Sequence, residues 1–448
     1  MSDQLPEVSV AVVGCGTVGG STSEILLRDR ELIERKAGVR LRLKYIVDRN
    51  FTYAEELQLD NTLFENDLDR VLADEDLGVV VELVGGVSKA RDITERALSA
   101  GKHVVTANKA MLAHHGQELM GLARQHGVVL AFEASCGGGI PILRALYDGL
   151  IVDEIDAIYG IVNGTCNFIL TEMIEKGETY EEALWAAQSQ GLAEADPSLD
   201  VEGTDSAHKI AIMASLGFGM QVPFESIPVE GIDRLQRDDV LYGAKLGYVV
   251  KLLAIATREE DGVSIRVRPA FISKDHPLAW VAGPFNAVSV YSHCTGHTMY
   301  YGRGAGGSPT GAAVVSDIAS IAVGTLPRLF EHYGHWQDRN EPGYLIPAAQ
   351  TRNRYYIRVM ADDTPGTLAR IASILSAHGI SISSVLQDEI PEEQGDTEHP
   401  PQAPIVITLH QAVEGDVMNA VDEINALDAT GETCSVVTII DEHPERVG

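Results

Sequence analysis

The sequence predicts an α/β protein of three domains: a doubly wound first domain, an α+β second domain and a small βαββαβ third domain. Three observations predict it. The length of 448 residues corresponds to about two to four domains. Apolar runs alternate with amphipathic helical segments over residues 1–135, and this pattern changes near residues 136 and 354. The composition, with 45% hydrophobic and 22% charged residues, is that of a globular protein and excludes a disordered chain, a collagen or a coiled coil.

Residues 1–135 are predicted to form the first domain. Continuous Val-rich runs are typical of strands that are buried on both faces of a parallel sheet. The five runs are VSVAVVG (8–14), LRLKYIVD (41–48), GVVVELVGG (78–86), HVVTAN (103–108) and VVLAFEAS (128–135). Between them lie helical segments that end in Gly, such as SKARDITERALSAG. We therefore expect a doubly wound parallel sheet here.

Residues 136–340 predict an α+β domain that holds the substrate. Longer helical segments, such as TDSAHKIAIMASLGFG, mix there with antiparallel-looking strands, such as VSIRVRPAFIS. Near its end a Gly-rich turn opens an apolar helix, at about 310–330, which we expect to pack back onto the first domain. The alternative is that this helix belongs to the core of the second domain.

The remaining chain predicts a linker and a small third domain. The linker, 341–353, is polar and contains proline, and the βαββαβ pattern occupies 354–448. An acidic, Pro-rich loop, EIPEEQGDTEHPPQAP, separates the second and third predicted strands.

Charge and cysteine usage exclude several classes of function. The formal charge of −31 should repel nucleic acids and anionic membranes, so we expect neither as a partner. The five cysteines are widely spaced and odd in number, which disfavours a disulfide framework and a zinc site and favours a cytoplasmic location. The first residues lack the pattern of a signal peptide, and no apolar run approaches the ~18 residues of a membrane span.

A glycine-rich motif follows the first predicted strand. Gly14, Gly16 and Gly19 form a G-x-G-x-x-G arrangement at the start of a helix. Glycines allow a tight turn and a close approach of the backbone to a pyrophosphate, and the helix N-terminus attracts the anion. The motif is weak alone, but its strand-to-helix context favours a Rossmann-like dinucleotide site.

Asp48 ends the second predicted strand, where a ribose-binding acid is expected, although its distance along the chain from the glycines is longer than usual. Arg49 beside it is suited to a 2′-phosphate, so NAD and NADP both remain open. Asp48 as a simple turn residue is an alternative.

Two further segments suggest ligands. Lys109 lies just beyond the carboxyl end of a predicted strand, where open parallel sheets bind ligands, and the alternative is a solvated lysine. Glu133 precedes a triple glycine that begins at Gly137. A carboxylate beside exposed carbonyl groups suits a hard cation, but the same residues could form a hinge between domains.

The most informative segment is GLAEADPSLDVEGTDSAHKIAIMA. It carries Glu194 and Asp200 on an irregular loop, and then a helix that Thr204 or Asp205 is expected to cap. Asp205 and Lys209 lie one turn apart on that helix, which alone suggests an exposed ion pair worth about 0.3–0.5 kcal/mol. Because Lys209 is flanked by apolar residues, we prefer an active site in which a partly desolvated lysine exchanges protons and the carboxylates bind a substrate amine.

Taken together, these motifs resemble the homoserine dehydrogenase family. The motifs that carry the resemblance occur in the family's order and cover nearly the whole chain: GCGTVGG, VELVGG, VTANKA, EASCGGGIP, NGTCNFIL, GLAEADPSLDVEGTDSAHK and GRGAGGSPT. The resemblance implies interconversion of L-aspartate 4-semialdehyde and L-homoserine with NAD or NADP, on the route to threonine and methionine. It also implies that the second domain mediates dimerisation.

The resemblance also implies roles for individual residues. Lys209 is the proton donor and acceptor, with Asp205 and Lys109 as further catalytic residues. The substrate is bound by Glu194, Asp200 and Asp205. A sodium ion is held by Glu133 with carbonyl groups of Cys136, Gly138 and Ile140. The cofactor contacts are Gly14, Gly16, Thr17, Val18, Gly19, Asp48, Arg49, Thr106, Lys109 and Gly306.

The C-terminal segment DDTPGTLARIASILSAHGISISSV resembles an ACT domain, which implies an amino-acid effector, with threonine as the candidate, and a homo-oligomer of two or four chains. Ser381 departs from the Asn that many such domains carry after HGI. No aspartokinase region is present, as in monofunctional members. The alternatives are a semialdehyde dehydrogenase that uses a thioester on Cys136 or Cys166, and a non-catalytic amino-acid sensor.

Overall fold

The computed structural model describes residues 5–388 and 401–444, and it confirms the predicted fold class. The elements of the first domain alternate as the sequence predicts. They are β1 (Glu7–Val13), α1 (Thr17–Arg28), α2 (Arg30–Ala37), β2 (Arg40–Val47), α3 (Thr52–Glu56), β3 (Phe64–Glu65), α4 (Leu68–Leu72), β4 (Leu77–Glu82), α5 (Ser88–Ser99), β5 (His103–Thr106), α6 (Lys109–Gln125) and β6 (Leu130–Ala131).

These six strands form one parallel sheet in the order β3-β2-β1-β4-β5-β6. The central strands are almost completely buried, as their continuous apolar sequences require. The order reverses beside β1, so the carboxyl ends of β1 and β4 border a crevice of the kind where doubly wound sheets bind ligands.

The second part of the chain is a mixed α+β unit. Its elements are α7 (Ile142–Arg144), β7 (Ile155–Ile161), α8 (Gly164–Lys176), α9 (Tyr180–Ser189), α10 (Ser198–Val201), α11 (Thr204–Phe218), β8 (Met220–Gln221), α12 (Arg237–Lys245), β9 (Tyr248–Glu259), β10 (Gly262–Ser273), β11 (Phe285–Ser292), β12 (Gly296–Arg303), α13 (Gly307–Val323), α14 (Thr325–His332) and β13 (Glu341–Pro342). Helix α13 packs against α1 of the first domain, where a Cβ on Gly307 would lie 2.4 Å from the Ser21 hydroxyl oxygen.

The third part shows the predicted βαββαβ order with one additional short strand. Its elements are β14 (Arg352–Asp362), α15 (Thr367–Ala377), β15 (Ile382–Gln387), β16 (Gln402–Leu409), β17 (Ala412–Val413), α16 (Glu414–Asn425) and β18 (Ser435–Ile440). Most of the predicted acidic, Pro-rich loop, 389–400, lies outside the described residues.

One long sheet connects the second and third parts. Its order is β12-β11-β7-β9-β10-β18-β14-β16-β15, and the parallel pairing of β10 with β18 joins the two halves at Ala270, Phe271 and Ile272. The interface also contains two buried ion pairs: Arg268–Glu414 at 2.8 Å and Arg358–Asp239 at 2.7 Å. The two parts therefore share backbone hydrogen bonds and buried charges.

The predicted linker is packed against the second part of the chain. Val263 of β10 donates its N–H to the Tyr344 carbonyl, and Ile346 donates its N–H to the Val263 carbonyl, at 3.0 and 2.9 Å. Thr351 is 1% exposed. A truncation after residue 351 would remove Glu414 and leave the Arg268 guanidinium without its carboxylate partner.

Among the described residues, no single helix is long and apolar enough to cross a membrane; only the bent pair α13 and α14 meets the length and composition criteria together.

Candidate active site

The glycine-rich loop lies between β1 and α1 at the carboxyl edge of the parallel sheet. Gly14 has a φ of +94°, and a Cβ on Gly19 would lie 1.9 Å from the Gly14 carbonyl oxygen, so neither position accommodates a side chain. Gly16 precedes α1, and Gly16 and Thr17 are exposed while Val18 is half-buried. The open first turn of α1 therefore fits the pyrophosphate of a dinucleotide.

Asp48 connects this loop to the end of β2. Its Oδ2 accepts the N–H of Cys15 at 2.7 Å, and its Oδ1 accepts the N–H of Arg49 at 2.6 Å. Asp48, Arg49 and Lys89 line a cleft of about 410 Å³ beside the glycines. The carboxylate suits a ribose diol and the two cations suit a 2′-phosphate, so the lining of the cleft is compatible with either nicotinamide cofactor.

Thr106 supports the loop before Lys109. It is fully buried, donates its hydroxyl to Glu82 at 2.7 Å and accepts the N–H of Asn108 at 3.0 Å. Its hydroxyl is thus occupied inside the protein, and only its backbone is left for the predicted cofactor contact. Gly306, with a φ of +117°, precedes α13 where that helix meets α1.

A buried cluster of lysines and carboxylates lies where α6 meets α11. Asp205 accepts a hydrogen bond from Lys209 Nζ on Oδ2, at 2.6 Å, and forms an ion pair with Lys109 Nζ through Oδ1, at 3.0 Å. Lys209 also donates to the Val162 carbonyl at 2.6 Å. The structure thus brings together Lys109 from the dinucleotide domain and the pair that the sequence places on one helix.

Helix α11 begins differently from the prediction, which gave Thr204 or Asp205 as its cap. The capping position is Gly203, with a φ of +87°, and no side chain caps the helix. Because the backbone turns at a glycine, the Asp205 carboxylate is free to face the two lysines.

The two lysines also determine the charge of Asp205. Burial tends to raise the pKa of Asp205, but Lys209 and Lys109 outweigh burial and hold the pKa well below its usual range. Asp205 in turn raises the pKa of Lys109.

Asn163 is a member of the cluster that the sequence did not single out. Its Nδ2 donates to Asp200 Oδ1 at 2.7 Å and to Asp205 Oδ2 at 2.9 Å. The signal that could have identified it is its place between a strand, β7, and the first residue of α8, which is where parallel and mixed sheets often present functional groups.

Glu194 is not brought into this cluster. It lies exposed on the loop after α9, and within the described part of the chain its carboxylate has no hydrogen bond or ion pair. Asp200, by contrast, is half-buried and is linked to Asp205 through Asn163.

The two thiols near the site are poorly suited to form a thioester. Cys136 and Cys166 are buried, and burial raises the pKa of Cys136 to about 12 and the pKa of Cys166 well above its usual value. The Cys166 thiol donates to the Asp200 carbonyl at 3.1 Å. A thiolate nucleophile is therefore disfavoured at both positions.

The triple-glycine loop adjoins a second buried charge cluster. The Glu133 carboxylate accepts the N–H groups of Leu143 and Arg144 at 3.0 and 2.8 Å, and Asp317 pairs with the Arg144 guanidinium at 3.0 Å. Burial, with the neighbouring Asp317, raises the pKa of Glu133 to about 8. Burial and Asp317 thus disfavour the ionised form of Glu133, and a monovalent cation beside the two carboxyl groups would favour it. The nearby carbonyl groups of Cys136, Gly138 and Ile140 are hard oxygen donors, so the residues present are compatible with a sodium ion.

A doubly wound domain with a complete dinucleotide loop, next to a lysine and carboxylate cluster at the same edge of its sheet, defines a nicotinamide-dependent oxidoreductase. The comparisons with known proteins are more specific. Residues 14–133 match the family model "Homoserine dehydrogenase, NAD binding domain", residues 141–319 match "Homoserine dehydrogenase" and residues 355–428 match "ACT domain".

Two relatives and one solved structure are similar to this chain over almost its full length, and a second structure is similar over 70% of it. A homoserine dehydrogenase of Pseudomonas aeruginosa is 40% identical over 94% of this chain and 96% of its own, and one of Neisseria gonorrhoeae is 38% identical over 97% and 99%. The crystal structure of a homoserine dehydrogenase from Thiobacillus denitrificans aligns with a TM-score of 0.91 at 38% identity, over 98% of this chain and 100% of that one. A hyperthermophilic archaeal homoserine dehydrogenase in complex with NADPH aligns with a TM-score of 0.60 at 28% identity, over 70% and 97%.

The chain therefore belongs to the homoserine dehydrogenase family of oxidoreductases, with an NAD(P)-binding domain and a C-terminal ACT domain. This confirms the resemblance drawn from the sequence motifs.

Proposed function

We propose that the chain transfers a hydride between L-homoserine and a nicotinamide cofactor, either NAD or NADP, with Lys209 moving the proton. The observation that carries this proposal is the Lys109–Asp205–Lys209 cluster, which joins the dinucleotide domain to the substrate domain. A bound nicotinamide accepts or donates the hydride. The remaining steps are assigned to side chains of this chain.

Lys209 is suited to the proton transfer because it has one donor left. An ammonium group has three N–H donors, and Lys209 uses two of them on Asp205 and on the Val162 carbonyl. In the reduction of the aldehyde, the third donates a proton to the oxygen that gains negative charge. In the oxidation of homoserine, the neutral amine accepts the proton of the hydroxyl group.

The other cluster residues hold the charge and the substrate in place. Asp205 keeps both lysines paired, and Lys109 is 38% exposed, which leaves it accessible from the cofactor side. We assign the ammonium group of the substrate to Asp200, which is linked to Asp205 through Asn163, and to Glu194, as the family resemblance implies. Because Glu194 is exposed and unpaired here, its contact requires that the loop after α9 close on the substrate.

We assign the cation site to Glu133 and to the carbonyl groups of Cys136, Gly138 and Ile140. Among the described residues there is no group of three His, Cys, Asp or Glu side chains that could hold a metal ion, so the backbone would supply most of the ligands. The ion would stiffen the loop that leads from β6 to α7. The Cys136 thiol lies 3.8 Å from the Lys209 carbonyl, so this loop also touches the catalytic helix.

The regulatory part of the proposal concerns the ACT domain. We propose that threonine binds it and lowers activity, in a homo-oligomer of two or four chains. The shared sheet and the buried Arg268–Glu414 pair support a mechanical connection between the two domains. We place the enzyme in the cytoplasm, on the route to threonine and methionine, with domains at 1–135, 136–340 and 354–448.

The proposed function is tested by following the absorbance of NADH or NADPH at fixed enzyme concentration. L-Homoserine should support reduction of NAD or NADP, and aspartate semialdehyde should support the reverse reaction. Reduction that is equally fast without homoserine, or with L-alanine in its place, would contradict the proposal.

A further inference from the structure

We propose that Asn163 is a positioning residue that holds the carboxylates of Asp200 and Asp205 in one fixed arrangement for the reaction. The inference rests on the proposed role of these two carboxylates and of Lys209. It concerns a residue whose side-chain hydrogen bonds, within the described part of the chain, go to Asp200, Asp205 and the N–H of Cys166.

Every polar atom of the Asn163 side chain is used. Its Nδ2 donates one N–H to Asp200 Oδ1, at 2.7 Å, and the other to Asp205 Oδ2, at 2.9 Å. Its Oδ1 accepts the N–H of Cys166 at 2.8 Å, which caps helix α8. The residue is 5% exposed, so water does not compete strongly for these bonds. The side chain therefore has one orientation, because its amide can satisfy all three partners only in this way.

An uncharged amide is the group that this position requires. Two carboxylates that both lie within 3 Å of one nitrogen atom repel each other. An amide offers two donors without adding charge, whereas aspartate has none when ionised and serine has a single donor on a shorter side chain. Asn163 thereby holds both carboxylates in place with one amide group.

The same segment also sets the position of Lys209. The residue before Asn163, Val162, accepts the second hydrogen bond of Lys209 Nζ at 2.6 Å, and Asp205 Oδ2 is shared between Lys209 and Asn163. The end of β7 thus positions the catalytic lysine through a carbonyl and its counter-ion through an amide. A loss of the amide should disturb the acids more than the lysine.

Titratable groups approach the two acids from each neighbouring element. Lys209 and His208 lie on α11, Lys109 on α6 and Cys166 on α8. Burial, with His114, lowers the pKa of His208 to about 4, so this ring is neutral near pH 7. His208 therefore adds no charge beside Lys109 and Lys209, which both face the Asp205 carboxylate.

The test compares Asn163→Asp and Asn163→Ser with the unaltered enzyme. Both variants keep an oxygen that can cap α8, but the first replaces the two donors with a third carboxylate and the second removes the bridge without adding charge. The control is Thr179→Ala, which removes the side-chain cap of the next helix, α9, on an exposed surface. Melting temperature identifies any variant that fails to fold, and Asn163→Ser then carries the test.

We expect the KM for homoserine to rise roughly tenfold to hundredfold in both Asn163 variants, which corresponds to the loss of one charge-assisted hydrogen bond, while the KM for the cofactor changes less than about twofold. In Asn163→Asp, the acidic limb of kcat/KM should move up by about one pH unit or more, because three carboxylates cannot all stay ionised. Thr179→Ala should change neither quantity. If Asn163 had a purely structural role, its variants would be less stable, but the KM for homoserine would not rise more than the KM for the cofactor and the acidic limb of kcat/KM would not move.

Wild-type KM values and an unmoved acidic limb in a folded Asn163→Asp enzyme would overturn the proposal. A crystal structure of Asn163→Ser separates this inference from the proposed function, since it needs no activity. If the distance between the Asp200 and Asp205 carboxylates increases by more than about an ångström, the bridging role of Asn163 is supported. If both carboxylates keep their positions, it is refuted. An unaltered enzyme that does not oxidise homoserine would instead refute the proposed function.

Discussion

Replacing Asp205 with asparagine tests whether this carboxylate balances the two lysines. The Asp205 side chain is 8% exposed, and its two oxygens face Lys109 and Lys209 at 3.0 and 2.6 Å. In Asp205→Asn, the amide oxygen can still accept from Lys209 and Asn163, but the amide nitrogen then points a donor at Lys109. Both lysines lose their counter-ion with almost no change in volume.

The size of the effect follows from burial. Removal of one partner of a buried ion pair costs about 3–5 kcal/mol. Lys109 is 38% exposed and can turn toward water, whereas Lys209 cannot. We therefore expect Asp205→Asn to lower the free energy of unfolding by about 3 kcal/mol, at the lower end of that range. For a domain of the size of 136–340, a loss of 1 kcal/mol lowers the melting temperature by about 2–4 °C, so the melting temperature of Asp205→Asn should decrease by roughly 6–12 °C.

The assay is a thermal unfolding curve of Asp205→Asn beside that of Asp196→Asn. Asp196 is an exposed acid on the preceding loop, and among the described residues its carboxylate bonds only to Ser198. The pKa of Asp205 is lowered in the folded protein, so its contribution is complete above the unfolded pKa of about 3.9 and is lost as the pH falls further. The difference in melting temperature between Asp205→Asn and the unaltered protein should therefore be constant from about pH 8 to 5 and become smaller only below about pH 4. A decrease of less than about 2 °C at pH 7, or one matched by Asp196→Asn, would refute the reasoning.

Three further predictions follow from the same site. Lys209→Ala should lower turnover by roughly 10²- to 10⁴-fold with cofactor affinity largely kept, as measured by fluorescence titration, and near-normal turnover would exclude proton transfer by Lys209. Glu194→Gln should raise the KM for homoserine much more than that for the cofactor, because a charge-assisted bond of about 1.5–3 kcal/mol is lost; equal effects would remove Glu194 from the pocket. Iodoacetamide at neutral pH should label the exposed Cys294 and leave activity intact, since burial raises the pKa of Cys136 to about 12; inactivation that follows labelling of Cys136 would revive a thioester mechanism.

The sequence predicted the local parts of the fold well. The five Val-rich runs correspond to β1, β2, β4, β5 and β6, and the i, i+4 spacing correctly paired Asp205 with Lys209. Strands β7 and β9 were not singled out, because short apolar runs such as KLLAIA fit a buried helix as well as a strand. Strand β3 has two residues, too few to give a pattern.

Contacts between distant segments were beyond the reach of sequence patterns. The pairing of Asp200 with Asp205 through Asn163 depends on three separate elements, and an Asn-Gly dipeptide by itself indicates only a turn. The polar, Pro-containing composition of the predicted linker does not reveal that Val263 forms hydrogen bonds with the backbone of Tyr344 and Ile346. The family resemblance implies a substrate contact for Glu194, but the sequence pattern does not show that its side chain is exposed on the loop after α9.

The pairing of β10 with β18 has a consequence for biosynthesis. Strand β10 emerges from the ribosome long before β18, so its Ala270–Ile272 edge lacks its final neighbour while most of the following chain is still being made. An unpaired apolar edge of this kind is a template for association with another chain. Premature termination should therefore yield nascent chains that aggregate or require a chaperone. During synthesis, the ACT domain would thus supply the strand, β18, that covers the exposed edge of β10.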